Sequence, residues 1–488
     1  MSKLIKNELI KIFKKKSIYI TLVVILGFVI LTNCIYKFFY QDVYNTSYSE
    51  EYMKYTKEEL AKLDPNKPSD ARMYIDLKTQ VDVFEKTKEY DKDDWQIDII
   101  GSQMATYINE KNTYLYGENK DSEKVAQIEE KINQLSEKLQ QDDWKYFAQK
   151  DLEQAEETLK QLENQKSKTQ DKQQLQQLIL EIENAKIDKK VAEYRVKEEI
   201  KYGNDFRNIA LNQYQSEAKS IITIDKSPNA QQLSHQEKRE YNETLASREI
   251  NQYIIENNVD VNKTNDIRGI LENFFNEYGL FIIVMIVMIA GTIVSEEFNK
   301  GTIKLLLIKP YSRKKILLSK FITVLIMILF SIAIIILMEL LVGGIVFGYD
   351  SLSVPILQYN FETQNLETIS IFSYLGIQII TQLPKLILLA TLAFACSTLF
   401  TNSAVAIAIP LLGYMSADVI NMLVIQYKVD FMKIFVSLNW DFNEYLYGNL
   451  PKMEGMTLGF SILICTIYFL AMIIPTFIAF KKKNIKNI

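Results

Sequence analysis

Apolar residues are gathered into long runs rather than spread evenly along the chain. Residues 17–39, SIYITLVVILGFVILTNCIYKFF, are almost free of charge and long enough to cross a bilayer, which takes ~20 apolar residues. Comparable runs follow near 279–295, 321–342, 381–400, 403–424 and 457–480, and a polar stretch separates the first run from the second. The pattern predicts an all-α integral membrane protein with six transmembrane helices, at 17–39, 273–295, 321–348, 373–400, 403–425 and 456–480, and a large, mainly helical insert at 40–272. Basic residues precede the first run, as they do in a secretory signal. Its apolar core exceeds the roughly 7–15 residues of a signal, and bulky residues follow it where a cleavage site would need small ones, so it is read as a retained helix.

Within the insert the clearest order lies at 122–201. Val125, Ile128, Ile132, Leu135 and Leu139 are spaced by threes and fours, and Leu152, Ala155, Leu159 and Leu162 continue the rhythm. It returns at Leu175, Leu178, Ile182 and Ala185, after the polar break at 164–174. That is heptad spacing, and it predicts a coiled-coil hairpin in which the chain turns at the break and packs back on itself. An intermolecular coiled coil joining two copies fits the same pattern. Tyr74, Phe84, Trp95 and Tyr107 are expected to fill a small core in the preceding segment.

Charge adds an orientation. Residues 1–17, the 296–320 loop and the tail at 481–488 together carry seventeen basic and three acidic residues. Residues 37–280 carry 35 basic and 48 acidic ones. By the positive-inside rule the first three segments are cytoplasmic, both termini lie inside, and the insert is extracellular with the loops at about 349–372 and 426–455. The protein is thus expected in the cell membrane as a multi-pass chain.

Composition removes several chemistries. Cys34, Cys396 and Cys465 all fall in predicted spans, so an extracellular insert would hold itself without disulfides. The single histidine, His235, lies in a polar helical stretch, which argues against a His-based metal site. There is no nucleophile-elbow pattern and no Cys/His cluster, and the carboxylates read as the solvated faces of helices. No G-x-x-x-x-G-K-[ST] occurs, so this chain has no P-loop for ATP and is not expected to be an enzyme by itself.

The segment at 293–320, IVSEEFNKGTIKLLLIKPYSRKKILLSK, carries nine charges between two apolar runs. Its basic residues suffice to fix topology, and a plain cytoplasmic loop is one reading. Topology does not explain the adjacent Glu296 and Glu297, nor Leu305, Leu306, Leu307 and Ile308 within a charged loop. Glu296-Glu297, then Gly301-Thr302, then Pro310 and Ser312-Arg313, then Lys320 resemble the loop between the second and third helices of ABC-2-type transporter permeases. That resemblance implies a coupling helix at 296–320 that docks on an ATPase partner, with Glu296, Glu297, Gly301, Thr302, Pro310, Arg313 and Lys320 as the coupling residues. It also implies two P-loop ATPase chains that bind ATP and Mg, a second copy of this chain or a sister permease, and contact with membrane lipids. No nucleic acid is expected.

Residues 1–16 are similar to that family's amphipathic cytoplasmic helix. Leu4, Ile5, Leu9, Ile12 and Phe13 share one half of a helix, and Lys3, Lys6, Asn7, Lys11 and Lys14 share the other. A merely basic leader is the alternative. The resemblance covers residues 1–40 and about 270–488, not the large insert, which leaves the substrate open.

Glu339, Lys385 and Asp418 lie inside or near the later spans, where an ionisable group is costly unless paired or wetted. One reading pairs Lys385 with Glu339 or Asp418 in a membrane ion pair; the other lets each reach the headgroup zone. The 426–455 loop, with NWDFNEYLYGNLP at 439–451, bunches Trp and Tyr as an interfacial or re-entrant segment does. Taken together, these features point to the permease subunit of an exporter of a peptide, lipid-like or antibiotic substrate. Two rivals are a coiled-coil scaffold or receptor similar to phage-infection proteins, and a peptide-sensing or immunity subunit.

Overall fold

A computed structural model describes residues 1–38, 50–92, 94–227, 230–303, 311–400 and 402–483. Among these the longer elements run, in chain order, α1 (Ser2–Phe13), α2 (Lys16–Phe38), α3 (Glu50–Leu60), α4 (Pro68–Thr87), α5 (Ala105–Tyr116), α6 (Ser122–Gln140), α7 (Trp144–Lys168), α8 (Lys172–Lys197), α9 (Phe206–Asp225) and α10 (His235–Asn257). They continue with α11 (Ile267–Glu272), α12 (Phe274–Thr292), α13 (Arg313–Phe347), a hairpin of β1 (Ile356–Asn360) and β2 (Asn365–Ile369), α14 (Ile371–Leu399), α15 (Ser403–Gln426) and α16 (Leu458–Lys482). The chain divides into two compact units. One comprises Met1–Gln41, Leu233–Asn242 and Val261–Ile488; the other comprises Asp42–Gln232 and Glu243–Asp260.

In the first unit six helices are long and apolar enough to cross a membrane: α2, α12 with its continuation to Asn299, α13, α14, α15 and α16. The unit is built around α12, 72% of whose apolar stretch is buried, against 17% for α15 and 22% for α16. Phe274, Tyr278, Ile282, Val287 and Ala290 of α12 are each fully enclosed by α2, α13, α14 and α15. Gly291 allows the closest approach: a Cβ there would sit 3.0 Å from the Ile407 side chain and 3.2 Å from the Ala406 backbone.

Helix starts follow local chemistry. Ser312, Ser370, Asn402 and Thr457 each accept from a backbone N–H of the first turn of α13, α14, α15 and α16. The Ser312 cap corrects the predicted third span and the loop before it. The helix takes over residues 313–320, and at 35 residues α13 is ~52 Å long, well beyond the ~30 Å of hydrocarbon.

Two further departures lie in the loops. The 349–372 segment folds into the β1–β2 hairpin, paired antiparallel from Ile356↔Ile369 to Asn360↔Asn365, so the unit is not purely helical. Phe361 N–H then donates to the Tyr447 carbonyl at 2.8 Å, which ties the hairpin to the 426–455 loop. In that loop Trp440, predicted to lie at an interface, packs inward in the main core. Asn439 holds it there: its Nδ2 donates to the Lys433 and Phe435 carbonyls and its Oδ1 accepts from Ser461 of α16 at 2.8 Å. Tyr427, Phe431 and Ile434 are the exposed apolar residues of this stretch.

The second unit is helical among its described residues. Asp121, Asp143, Asp171 and Asp205 cap the starts of α6, α7, α8 and α9. The apolar stripe of α6 is buried, but not against α7 as a hairpin partner. Ile128, Ile132, Leu135 and Leu139 close on Trp95, Ile99, Ile100, Met104 and Ile108, with the fully buried Phe147 in the same core. α7 and α8 do pair, turning at 169–171. Lys145 reaches Glu199 and Lys189 reaches Glu156, contacts whose order fixes the pair as antiparallel. Leu152, Ala155, Leu159 and Leu162 are only half-buried, as expected where two helices have no third to cover them.

Asp151 lies in this unit, accepting from Tyr202 Oη at 2.6 Å and Gln103 Nε2 at 2.7 Å. Burial pushes its carboxyl above the usual carboxylate range, and those bonds and the Arg195 charge only partly offset it. Folding therefore takes up a proton here, so the contribution to stability is greatest below the unfolded pKa of ~3.9 and declines as pH rises through the folded value. Asp151→Asn is expected to flatten that decline in melting curves of the full-length protein recorded from about pH 4 to 7. An unchanged slope would show that Asp151 does not set it.

Candidate functional site

The charged residues around 293–320 are drawn together by three elements. α1 supplies Glu8 and Lys11, and Lys15 follows in the link to α2; the short helix Ser295–Asn299 after α12 supplies Glu296 and Glu297; α13 supplies Lys320, about two turns from its start. Lys320 is 1% exposed. Its ammonium donates to Glu8 Oε2 at 2.7 Å, to the Ile293 carbonyl at 2.9 Å and to Glu297 Oε1 at 3.4 Å, so three donors meet three acceptors. Glu297 also receives Lys11 at 2.7 Å and the Thr302 hydroxyl at 2.6 Å, and Lys11 returns to Glu8 at 3.2 Å. Two carboxylates and two ammoniums thus form a closed, neutral quartet.

A second bracket lies beside the first. Lys15 donates to Glu296 at 2.9 Å and to Thr292 at 3.2 Å, and Lys300 reaches the other Glu296 oxygen at 3.3 Å. Burial alone would lower the pKa of Lys11. The hydrogen bond to Glu297 and the charge of Glu8 outweigh it, and its ammonium is held above the ordinary lysine range.

Local folding explains why α1 can take part. Leu4, Glu8 and Ile12 recur every four residues on its buried face, so Glu8 lies in the middle of the apolar stripe. Phe13 then packs edge-on against Phe330 of α13 with ring centres 5.0 Å apart, which fixes the helix along its partner.

The remaining coupling residues from the sequence take varied places. Gly301 has φ of +68°, a left-handed turn that favours glycine, directly after the short helix. Arg313 donates to the Lys481 and Lys483 carbonyls at 3.2 and 2.9 Å, closing the open end of α16. Lys483 in turn reaches the Thr398 and Leu399 carbonyls at the end of α14. Pro310, with Leu305, Leu306, Leu307 and Ile308, lies outside the described residues. The glutamates expected to meet a partner are instead engaged by lysines of this same chain. Lys300, Lys314 and Lys315 remain toward solvent.

The candidate membrane ion pair of Lys385 with Glu339 or Asp418 does not form among the described residues. Glu339 is fully buried and is bonded by Asn33 and Tyr278, neither of them a cation. Lys385 feels chiefly the charge of Asp441, with Asp418 second, and makes no ion pair within 4 Å among the described residues; Asp418 is exposed on α15. Asp441 is held by Gln382 Nε2 at 2.9 Å. His235 contacts the Pro451 carbonyl at 2.6 Å. No group of three or more His, Cys, Asp or Glu with metal-site geometry occurs among the described residues.

Glu8 was missed as a site residue because it counts, in charge terms, as a lone acid among six lysines. The available signal was its i±4 spacing from Leu4 and Ile12. Removing one partner of the quartet strands a buried charge, which typically costs about 3–5 kcal/mol. Lys320→Ala is therefore expected to lower the melting temperature sharply, and Lys320→Met combined with Glu8→Gln to recover much of the loss. A double mutant no more stable than Lys320→Ala would show that the pair does not act as a unit.

Residues 245–486 match the family model described as a protein of unknown function, DUF2705. The chain is 32% identical over 250 residues to the uncharacterized protein YhcI of Bacillus subtilis (strain 168), covering 51% of this chain and 77% of that one. It is 29% identical over 200 residues to the uncharacterized membrane protein YdbK of the same organism, covering 41% of this chain and 76% of that one. No solved structure matches it significantly. With six spanning helices and these relatives, this is a multi-pass membrane protein, and it belongs to the same family as YhcI.

Proposed function

We propose that this chain is the membrane subunit of an exporter driven by ATP hydrolysed on a separate chain, as its likeness to ABC-2-type permeases implies. The observation that carries the reading is the Lys320 quartet. It fastens the charged segment to α1, α12 and α13 at once, so a push on that segment moves three helices rather than one loop. The partner supplies the P-loops, the ATP and the Mg. This chain supplies the levers, and closure of the partner rocks them to change access to a path between subunits.

The glutamates in this reading are internal rivets, and the outward lysines meet the partner. The basic segments support a cytoplasmic side for α1, the quartet and the C-terminus, and with it an extracellular insert in which the paired α7 and α8 serve as the coiled-coil hairpin. The sparse cover on α15 and α16 suits a second copy or a sister permease beside lipid. The substrate class is that of the resemblance: a peptide, a lipid-like molecule or an antibiotic.

The test is recovery of a P-loop ATPase with the full-length chain from native membranes. Lys314→Glu with Lys315→Glu is expected to lower that recovery about tenfold, equivalent to ~1.4 kcal/mol, while leaving the melting temperature unchanged. Absence of any ATPase from the purified complex would favour a scaffold or peptide-sensing role instead.

A further inference from the structure

Away from the charged junction, a polar cluster lies among α2, α12 and α13. Asn33 of α2, Tyr278 of α12 and Glu339 of α13 are each fully buried. Tyr278 Oη donates to Glu339 Oε2 at 2.5 Å, and Asn33 Nδ2 donates to the same oxygen at 3.0 Å and to the Val29 carbonyl at 2.9 Å. The amide orientation is fixed by those two acceptors, since the flipped form would set oxygen against oxygen.

Two oxygens are left over. Glu339 Oε1 and Asn33 Oδ1 are enclosed and have no hydrogen-bond partner. They converge on one place, the space above Gly343, where a Cβ would stand 2.7 Å from Oε1, 3.2 Å from Oδ1 and 3.0 Å from Ile267 Cγ1. Two buried acceptors beside one position without a donor are a combination that native structures rarely leave standing.

The neighbouring charges do not supply a donor. On α2, Tyr36 bonds Glu277 at 2.9 Å and Lys37 bonds the Val346 carbonyl at 2.7 Å. On α12, Glu277 adds a like charge near Glu339. On α11, Arg268 bonds the Val354 and Pro355 carbonyls; its Nη1 has no hydrogen-bond partner and lies 3.5 Å from Glu272, and Arg268 is not among the charges that act on Glu339.

We propose that Glu339 is a proton-binding site, its Oε1 carrying a proton that is donated to Asn33 Oδ1. One proton then closes an acid–amide pair with two parallel hydrogen bonds, because Asn33 Nδ2 already donates to Oε2. It satisfies both leftover oxygens and leaves no net charge among three apolar helices. A metal ion would require a fuller shell of oxygens than the two that are unpartnered here. The glycine at 343 is part of the site, since a Cβ there would crowd both oxygens. Release of the proton would leave a carboxylate facing a carbonyl oxygen, so the junction of α2, α12 and α13 tightens or loosens with protonation. The site does not depend on the exporter reading.

Infrared difference spectroscopy of the full-length protein in lipid tests this. At neutral pH the wild type should show the carbonyl stretch of a protonated, hydrogen-bonded carboxyl, and Glu339→Gln should remove it. Because the Gln amide can donate in place of the acid, Glu339→Gln should melt within about 2 °C of wild type. Should Glu339→Gln not fold, Asn33→Ala carries the assignment, shifting the same band to the higher frequency of a carboxyl that has lost its acceptor. Lack of such a band overturns the proposal, as does a band that neither variant moves. A melting temperature that rises with added sodium in wild type but not in Glu339→Gln overturns it in favour of a metal-ion site.

Discussion

A fully enclosed ammonium is the constraint on which the membrane unit turns. Lys320 sits about two turns inside a long apolar helix, where an isolated charge would be several kcal/mol unfavourable. It is tolerated because each of its protons has an acceptor, and those acceptors come from three separate elements. The geometry of α1, the end of α12 and the start of α13 is thereby specified together. Hydrophobic packing brings these helices near one another, and the lysine decides which residues of each must meet.

The same end of the unit is closed by smaller versions of this arrangement. Arg313 and Lys483 lend their donors to the last carbonyls of α16 and α14, and Lys483 also lies 4.7 Å from the centre of the Phe298 ring. Positive side chains are favourable where helix dipoles end. A basic cluster that topology alone would account for is therefore also the set of fasteners between helix ends. The neighbouring carboxylates share in this, since without Glu8, Glu296 and Glu297 the lysines would repel one another.

Much of this architecture was legible in the sequence. The six spans could be read because an apolar run of membrane length is a strong, local signal, and their observed ends agree within a few residues except at α13. There the basic residues of 313–315 read as loop, although Ser312 was a competent cap and helix continues freely through lysine and arginine. The β1–β2 hairpin escaped because two five-residue strands carry little periodicity. The α6 stripe was visible, but heptad spacing names a buried face and not the partner that covers it. In the charged segment the unusual residues were found, and the lysines of the same chain that engage the glutamates were not, for a specific reason. Charges on a loop suggest an external partner unless the opposite charges can be placed beside them, and Glu8 and Lys320 are far apart in the chain. The orphan oxygens of Glu339 and Asn33 leave no mark in sequence at all, since they follow from how three helices cross.

The separation of Glu8 from Lys320 also sets an order of assembly. Their contact spans 312 residues, so at 5–20 residues per second the ribosome needs about 15–60 s between making one partner and the other. Through that interval α1 must wait with Lys11, three residues away, as the provisional companion of its buried-to-be carboxylate. The whole insert is synthesised before the lock can close. The quartet can thus close only after the first two spans and the start of the third have been made.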